Sequence, residues 1–178
     1  MNTHIILVDT NDEPIGSMLK LEAHQKGLLH RAFSIFILNT SGQLMMQQRA
    51  LNKYHSAGLW SNTCCSHPSM GETIQDAANK RLEEEMNLKC DLMAVSKFIY
   101  KAELDNGLIE HEYDHVLIGY SDNVPIINKS EACAWKWMNI DTLYEDININ
   151  PTRYTAWLKP ALEHLMKYLL IKEIKTVN

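Results

Sequence analysis

The chain lacks any apolar run near the ~20 residues that a membrane-spanning helix needs, so no membrane insertion is expected. It lacks repeats and low-complexity tracts. Glycine and proline are scarce, 7 and 5 in 178 residues, and do not gather into a linker. With no boundary in sight, residues 1–178 read as a single domain, long enough to bury a real core. Positive charge is also short: the formal net charge of -5 argues against nucleic-acid binding, though a few local cations could still hold an anionic small molecule. The 4 cysteines do not form a disulfide scaffold. Met1 to Asp9 has neither the basic start nor the cleavage site of a signal peptide. A cytoplasmic chain with reduced thiols is expected, and Cys90 and Cys133 read as small buried hydrophobes.

What is present follows a regular order. Residues 5–8 are strand-like, and 11–16 carry turn residues. The near-continuous apolar run 32–38 predicts a buried strand, closed by the turn 39–42, with 44–49 returning as its partner. Residues 71–88 predict a helix, with Ile74, Ala77, Ala78 and Leu82 at helical spacing and Asn87 as its breaker. Strands are predicted at 97–102, 110–120 and 134–138, the first two joined through Asp105-Asn106-Gly107. A short helix at 140–144 and a long one from 151 to about 172 complete the pattern. The fold class is α/β (α+β), with a mixed, mostly antiparallel sheet covered by helices.

The most informative stretch is Trp60-Ser61-Asn62-Thr63-Cys64-Cys65-Ser66-His67-Pro68. In an extended chain side chains alternate, so Cys65 and His67 share a side and Cys64 points away. A thiol therefore stands beside an imidazole that can hold a metal. Upstream lie His24 and His30. Six residues span roughly 600° of helix, so both can reach one site only if the helix ends between them, which Gly27 permits. Downstream, Glu110-His111-Glu112 places two carboxylates on one strand face, with His111 on the other. His24, His30, His67, Glu110 and Glu112 make a five-ligand N/O set, one more than a closed tetrahedral zinc site requires. It suits a divalent ion such as Mn²⁺, Mg²⁺ or Zn²⁺ in an expanded geometry.

The segment from Ser66 to Leu88 has the spacing of a Nudix box, G-x5-E-x7-R-E-U-x-E-E-x-G-U with U aliphatic. Glu72, Leu82, Glu84, Glu85 and Leu88 match, and Lys80 replaces the arginine conservatively. Ser66 and Asn87 stand where the box has glycine, and Arg81 where it has glutamate. A cation there weakens a hydrolytic metal cluster but can grip a diphosphate. The chain resembles the type I isopentenyl-diphosphate Δ-isomerases, Nudix-fold enzymes, over roughly residues 19–158. The 60–68 run, the upstream histidines, the box-like helix, Glu110-His111-Glu112 and Trp157 occur in the family's order.

The resemblance implies a Nudix-like α/β/α sandwich. It also implies interconversion of isopentenyl and dimethylallyl diphosphate through a tertiary carbocation, in isoprenoid biosynthesis. Cys65 and Glu112 would be the proton-transfer residues, with Tyr100 assisting the glutamate. Lys20, Arg49, Lys53 and Arg81 would bind the diphosphate, and Trp157 would cover the cation. Mg²⁺ would bridge the diphosphate to Glu85, beside one divalent metal on the His3Glu2 set. The implied partner is a small isoprenoid diphosphate, and a monomer is expected. Two rivals stand against this reading: a Nudix diphosphohydrolase acting on nucleotides, and a non-catalytic zinc-binding or redox-responsive module.

Overall fold

A computed structural model describes residues 4–177; Met1 to Thr3, in the segment read for a signal peptide, lie outside them. The elements run β1 (His4–Val8), β2 (Pro14–Leu19), α1 (Lys20–Lys26), β3 (His30–Leu38), β4 (Gln43–Arg49), β5 (Trp60–Ser61) and β6 (Cys64–Ser66). They continue with α2 (Ile74–Met86), β7 (Met93–Glu103), β8 (Ile109–Tyr120), β9 (Ala132–Asn139), α3 (Ile140–Ile149) and α4 (Leu158–Val177). No described helix is long and apolar enough to cross a membrane.

Strand β3 organises the sheet. It runs parallel to β8, with His30 opposite Glu112 and Leu38 opposite Tyr120. It is antiparallel to β6, with Ser34 opposite Cys65. The β7–β8 pair is antiparallel, as are β1–β2 and β4–β9. The sheet is thus mixed and mostly antiparallel, and both faces are covered. Phe33, Ile35 and Ile37 pack with Ala77, Ala78, Leu82 and Met86 of α2. Phe36 and Leu38 pack with Leu143, Leu158, Ala161, Leu162 and Leu165 of α3 and α4. Burial on two sides explains why β3 reads as a continuous apolar run rather than an alternating one.

Several boundaries differ from the sequence reading. Residues 14–19 form an edge strand, and its mostly exposed side chains left no apolar alternation to reveal it. The 44–49 strand pairs with β3 only at Leu38 opposite Leu44; β8 and β6 take up β3 instead, and β4 pairs with β9 and β5. Helix α2 begins after Thr73, whose side chain accepts from the Asp76 amide at 3.1 Å, and ends at Asn87. Helix α3 runs five residues past the expected 144, to Ile149. The long last helix does not start at Pro151. A 3-10 turn, Pro151–Arg153, comes first, and the chain then docks, the Thr155 amide donating to the Trp60 carbonyl at 3.0 Å. Cys133 is exposed and Cys90 half-buried, so neither is the fully buried hydrophobe expected: Cys133 lies on β9 facing outward.

Candidate active site

Four elements converge at the site. Helix α1 carries His24 and stops at Gly27, whose φ of 60° is left-handed and whose missing Cβ leaves room for Ile109. The chain then enters β3 at His30. Strand β6 delivers His67 just past its end, and β8 delivers Glu110 and Glu112. Ligand atoms of His24, His30, His67 and Glu110 lie within 4.8 Å of one another. Glu112 borders this group: its Oε1 is 2.9 Å from His67 Nε2 and 3.7 Å from His30 Nε2. His111 faces away, toward the Gly27 carbonyl at 3.0 Å.

The donor atoms have the character of a cation site. His24 Nε2, His30 Nε2 and Glu110 Oε2 are buried and make no hydrogen bond. Each such orphan costs about 1–3 kcal/mol, and a divalent ion would satisfy all three together. Burial, reinforced by Lys20 and the neighbouring imidazoles, holds His24 at about 2. His67 lies at about 3 for the same leading reason, against the pull of Glu112. Both rings are therefore neutral at pH 7, as metal ligands must be. Burial and the adjacent Glu112 charge raise Glu110 well above the usual carboxylate range. Burial would raise Glu112 too, but the hydrogen bond with His67 and the nearby His30 ring outweigh it and hold that carboxyl low.

Tyr100 lies opposite Glu112 in the β7–β8 ladder and donates its hydroxyl to Glu112 Oε2 at 2.5 Å. Cys65, on the same side as His67, opens into one small cavity together with Glu112, Trp157, Lys20 and Arg49. Burial pushes its thiol up to about 12 despite Arg49, so Cys65 is neutral at pH 7. Cys64 points the other way into the α2 core. This small cavity, about 30 Å³, adjoins a larger one of about 700 Å³. Lys20, Arg49, Cys65 and His67 line both, and Lys53, Arg81 and Glu85 line the larger.

The cations differ in how free they are. Arg49 donates to the carbonyls of His55 and Ser56, both at 3.2 Å, and its guanidinium lies 5.2 Å from the Trp157 ring centroid. Lys53 is ion-paired with Glu131. Arg81 pairs with Glu85 at 2.6 Å, Glu84 at 2.9 Å and Glu131 at 3.4 Å. Lys53 and Arg81, expected to bind a diphosphate, are thus both ion-paired with Glu131. Glu85 is buried, 2.9 Å from Gln47 Nε2, and stands apart from the imidazole group. Trp157 is buried, its indole N–H donating to Ser61 Oγ at 3.0 Å. Sequence reasoning missed Gln47, His55 and Glu131. Each lies in a strand or loop, with no motif or spacing to mark it.

A Nudix domain model matches residues 28–164. The chain is 53% identical to isopentenyl-diphosphate Delta-isomerase 2 of Photorhabdus laumondii, covering 93% of each. It is 48% identical to isopentenyl-diphosphate Delta-isomerase of Burkholderia multivorans, over 92% of this chain and 93% of that one. Among solved structures, DR0079 of Deinococcus radiodurans superposes with a TM-score of 0.75 at 19% identity, covering 90% of this chain and 97% of that one. The MutT protein of Methanosarcina mazei gives 0.64 at 13% identity, with coverages of 78% and 94%. Sheet, box helix and coverage define a Nudix protein, one whose site adds clustered imidazoles beside the box. More narrowly, the chain belongs to the isopentenyl-diphosphate Delta-isomerase family.

Proposed function

We infer that the protein interconverts isopentenyl and dimethylallyl diphosphate, an isomerase of isoprenoid biosynthesis. The observation that carries the mechanism is the cavity shared by Cys65 and Glu112 beside the buried imidazole cluster. The reaction adds a proton to one alkene carbon and removes one from the allylic position, so it needs an acid and a base across the substrate. Cys65 and Glu112 take these two roles. Tyr100 fixes the orientation of the Glu112 carboxylate through its hydrogen bond. Between the two proton transfers the substrate is a tertiary cation. The Trp157 face offers it about 2 kcal/mol or more when dry, and the buried walls deny it water.

His24, His30, His67, Glu110 and Glu112 would hold one divalent ion, Mn²⁺, Zn²⁺ or Mg²⁺. Bound there, it would orient Glu112 and lower its basicity. Glu85 would hold a second ion, Mg²⁺, against the diphosphate. Lys20, Arg49, Lys53 and Arg81 line the larger cavity and bind the diphosphate head. That remote binding energy holds the alkene between Cys65 and Glu112. Lys53 and Arg81 exchange their carboxylate partners for phosphate oxygens as the substrate enters. We further read the chain as a single-domain, cytoplasmic monomer whose charged substrate arrives from water.

Incubation with isopentenyl diphosphate and Mg²⁺ in D₂O tests the reading. The allylic isomer should appear, with deuterium incorporated. Release of phosphate from a nucleotide substrate without isomer formation would favour the hydrolase.

A further inference from the structure

His55 belongs to none of the roles above, yet it is as enclosed as the proposed ligands. Only 3% of its surface is exposed, and its Nε2 makes no hydrogen bond. Its ring packs edge-on against Tyr54, with centroids 4.5 Å apart, and against Trp157 at 6.0 Å. A phenylalanine would fill that place without burying an unpaired nitrogen, which costs about 1–3 kcal/mol. The carboxylate facing the nitrogen is Glu110, whose Oε1 lies 3.7 Å away. That is about 0.8 Å short of a normal hydrogen bond.

The two oxygens of Glu110 thus have separate surroundings. Oε2 faces His24 Nε2 at 3.6 Å and His30 Nε2 at 3.8 Å, inside the proposed metal set. Oε1 faces His55, which stands outside that set. On the other edge of the ring, Nδ1 is 3.3 Å from Ser56 Oγ. With the hydroxyl donating there, the ring proton sits on Nε2, pointed at Oε1. The loop is held in place to achieve this. Ser56 has a φ of 51°, the left-handed region that costs a non-glycine residue roughly 1–2 kcal/mol. Arg49 clamps the carbonyls of both His55 and Ser56.

We propose that His55 is a positioning residue for Glu110: its Nε2–H engages Oε1 so that Oε2 is presented to the metal. Ligating carboxylates are held this way by outer partners, whose loss typically weakens metal binding about 10–100-fold. The inference rests on the metal centre of the preceding reading.

Three variants of the full chain separate this role from packing. His55→Phe keeps the ring and removes the donor. His55→Gln keeps an N–H at about the reach of Nε2, and His55→Asn places one at about the reach of Nδ1. The probe is Mn²⁺ alone, its affinity read by competition with a chromophoric chelator and paired with the melting temperature in EDTA. The expected result is a roughly 10–100-fold loss of affinity in His55→Phe without any fall in its melting temperature, and a smaller loss of affinity in His55→Gln. Wild-type Mn²⁺ affinity in His55→Phe overturns the proposal. So does an equal loss in all three variants that tracks their melting temperatures. Should His55→Phe fail to fold, the Gln and Asn pair decides, since rescue by Gln alone supports the role and equal behaviour overturns it. A wild-type chain that holds no Mn²⁺ overturns the metal centre itself, and the positioning role with it.

Discussion

At the scale of the residue, Cys65 and Glu112, the two proposed proton-transfer groups, should fail in different ways. Cys65→Ser or Cys65→Ala should cost about 10²–10⁴-fold in kcat, the usual worth of a positioned acid or base. The proposed diphosphate contacts lie elsewhere, so substrate affinity measured by calorimetry should persist; unimpaired turnover would reject the role of Cys65. Glu112→Gln should lose similar activity and also bind metal more weakly. Tyr100→Phe removes a hydrogen bond to a carboxylate, worth about 1.5–3 kcal/mol. If that bond is felt in the transition state, kcat should fall tenfold or more while KM barely moves. The side chains in these predictions were readable because chemistry and spacing coincide. Cys65 and His67 are two apart on an extended chain, as are Glu110 and Glu112. His55 was not readable, because a lone histidine in a loop has no periodicity to compare against. Nor was the pairing of Lys53 and Arg81 with Glu131, which follows from the loop before β9 bonding through the Ile126 and Asn128 amides to the end of α2.

At the scale of the element, the departures from the Nudix box acquire structural causes. Asn87 stands where the box has glycine, and its φ is 52° at the end of α2, with its amide bonded to the Glu83 carbonyl at 2.9 Å. Asparagine is the usual substitute for glycine in that conformation. Ser66 sits in β6 without a positive φ, so nothing there demands glycine. Asn87→Ala should therefore cost about 1–2 kcal/mol, whereas Asn87→Gly should cost nothing. Thr73→Ala, at the other end of α2, should cost about 1 kcal/mol. Each kcal/mol should appear as a loss of roughly 2–4 °C in melting temperature for a chain of this size. Equal melting of Asn87→Ala and Asn87→Gly would remove the left-handed cap from the account. The strong patterns, β3, α2 and the β7–β8 pair, were legible because burial or turn chemistry writes a period into the sequence. Strand β2 was not, because an exposed edge has no face to alternate. The break between Pro151 and Leu158 was hidden because docking on Trp60 is a long-range contact.

At the scale of the whole molecule, the buried charges set how metal binding depends on pH. His24 and His67 have folded values of about 2 and 3, below their ordinary 6.5, so they bind protons when unfolded but not when folded as pH falls below 6.5. Their stabilising contribution is complete above about pH 6.5 and is lost progressively on acidification. Glu110 and Asp114 act oppositely. Burial and the Glu112 charge raise both, so the folded state keeps protons that the unfolded state gives up above the ordinary values of 4.5 for Glu110 and 3.8 for Asp114. The metal-free protein should therefore lose stability on both sides of a maximum, which circular dichroism melts in EDTA would locate. Metal binding requires neutral imidazoles and ionised carboxylates. His24 and His67 already meet the condition at neutral pH, and Glu112 is held ionised. Glu110 alone among these four has a proton to surrender. Mn²⁺ affinity should thus rise with pH for as long as Glu110 remains protonated, with about one proton released per ion. Titration in two buffers of different ionisation enthalpy counts that proton. A release near zero would mean that Glu110 is already ionised without metal, and that the cost of two facing carboxylates is carried by the folded chain itself.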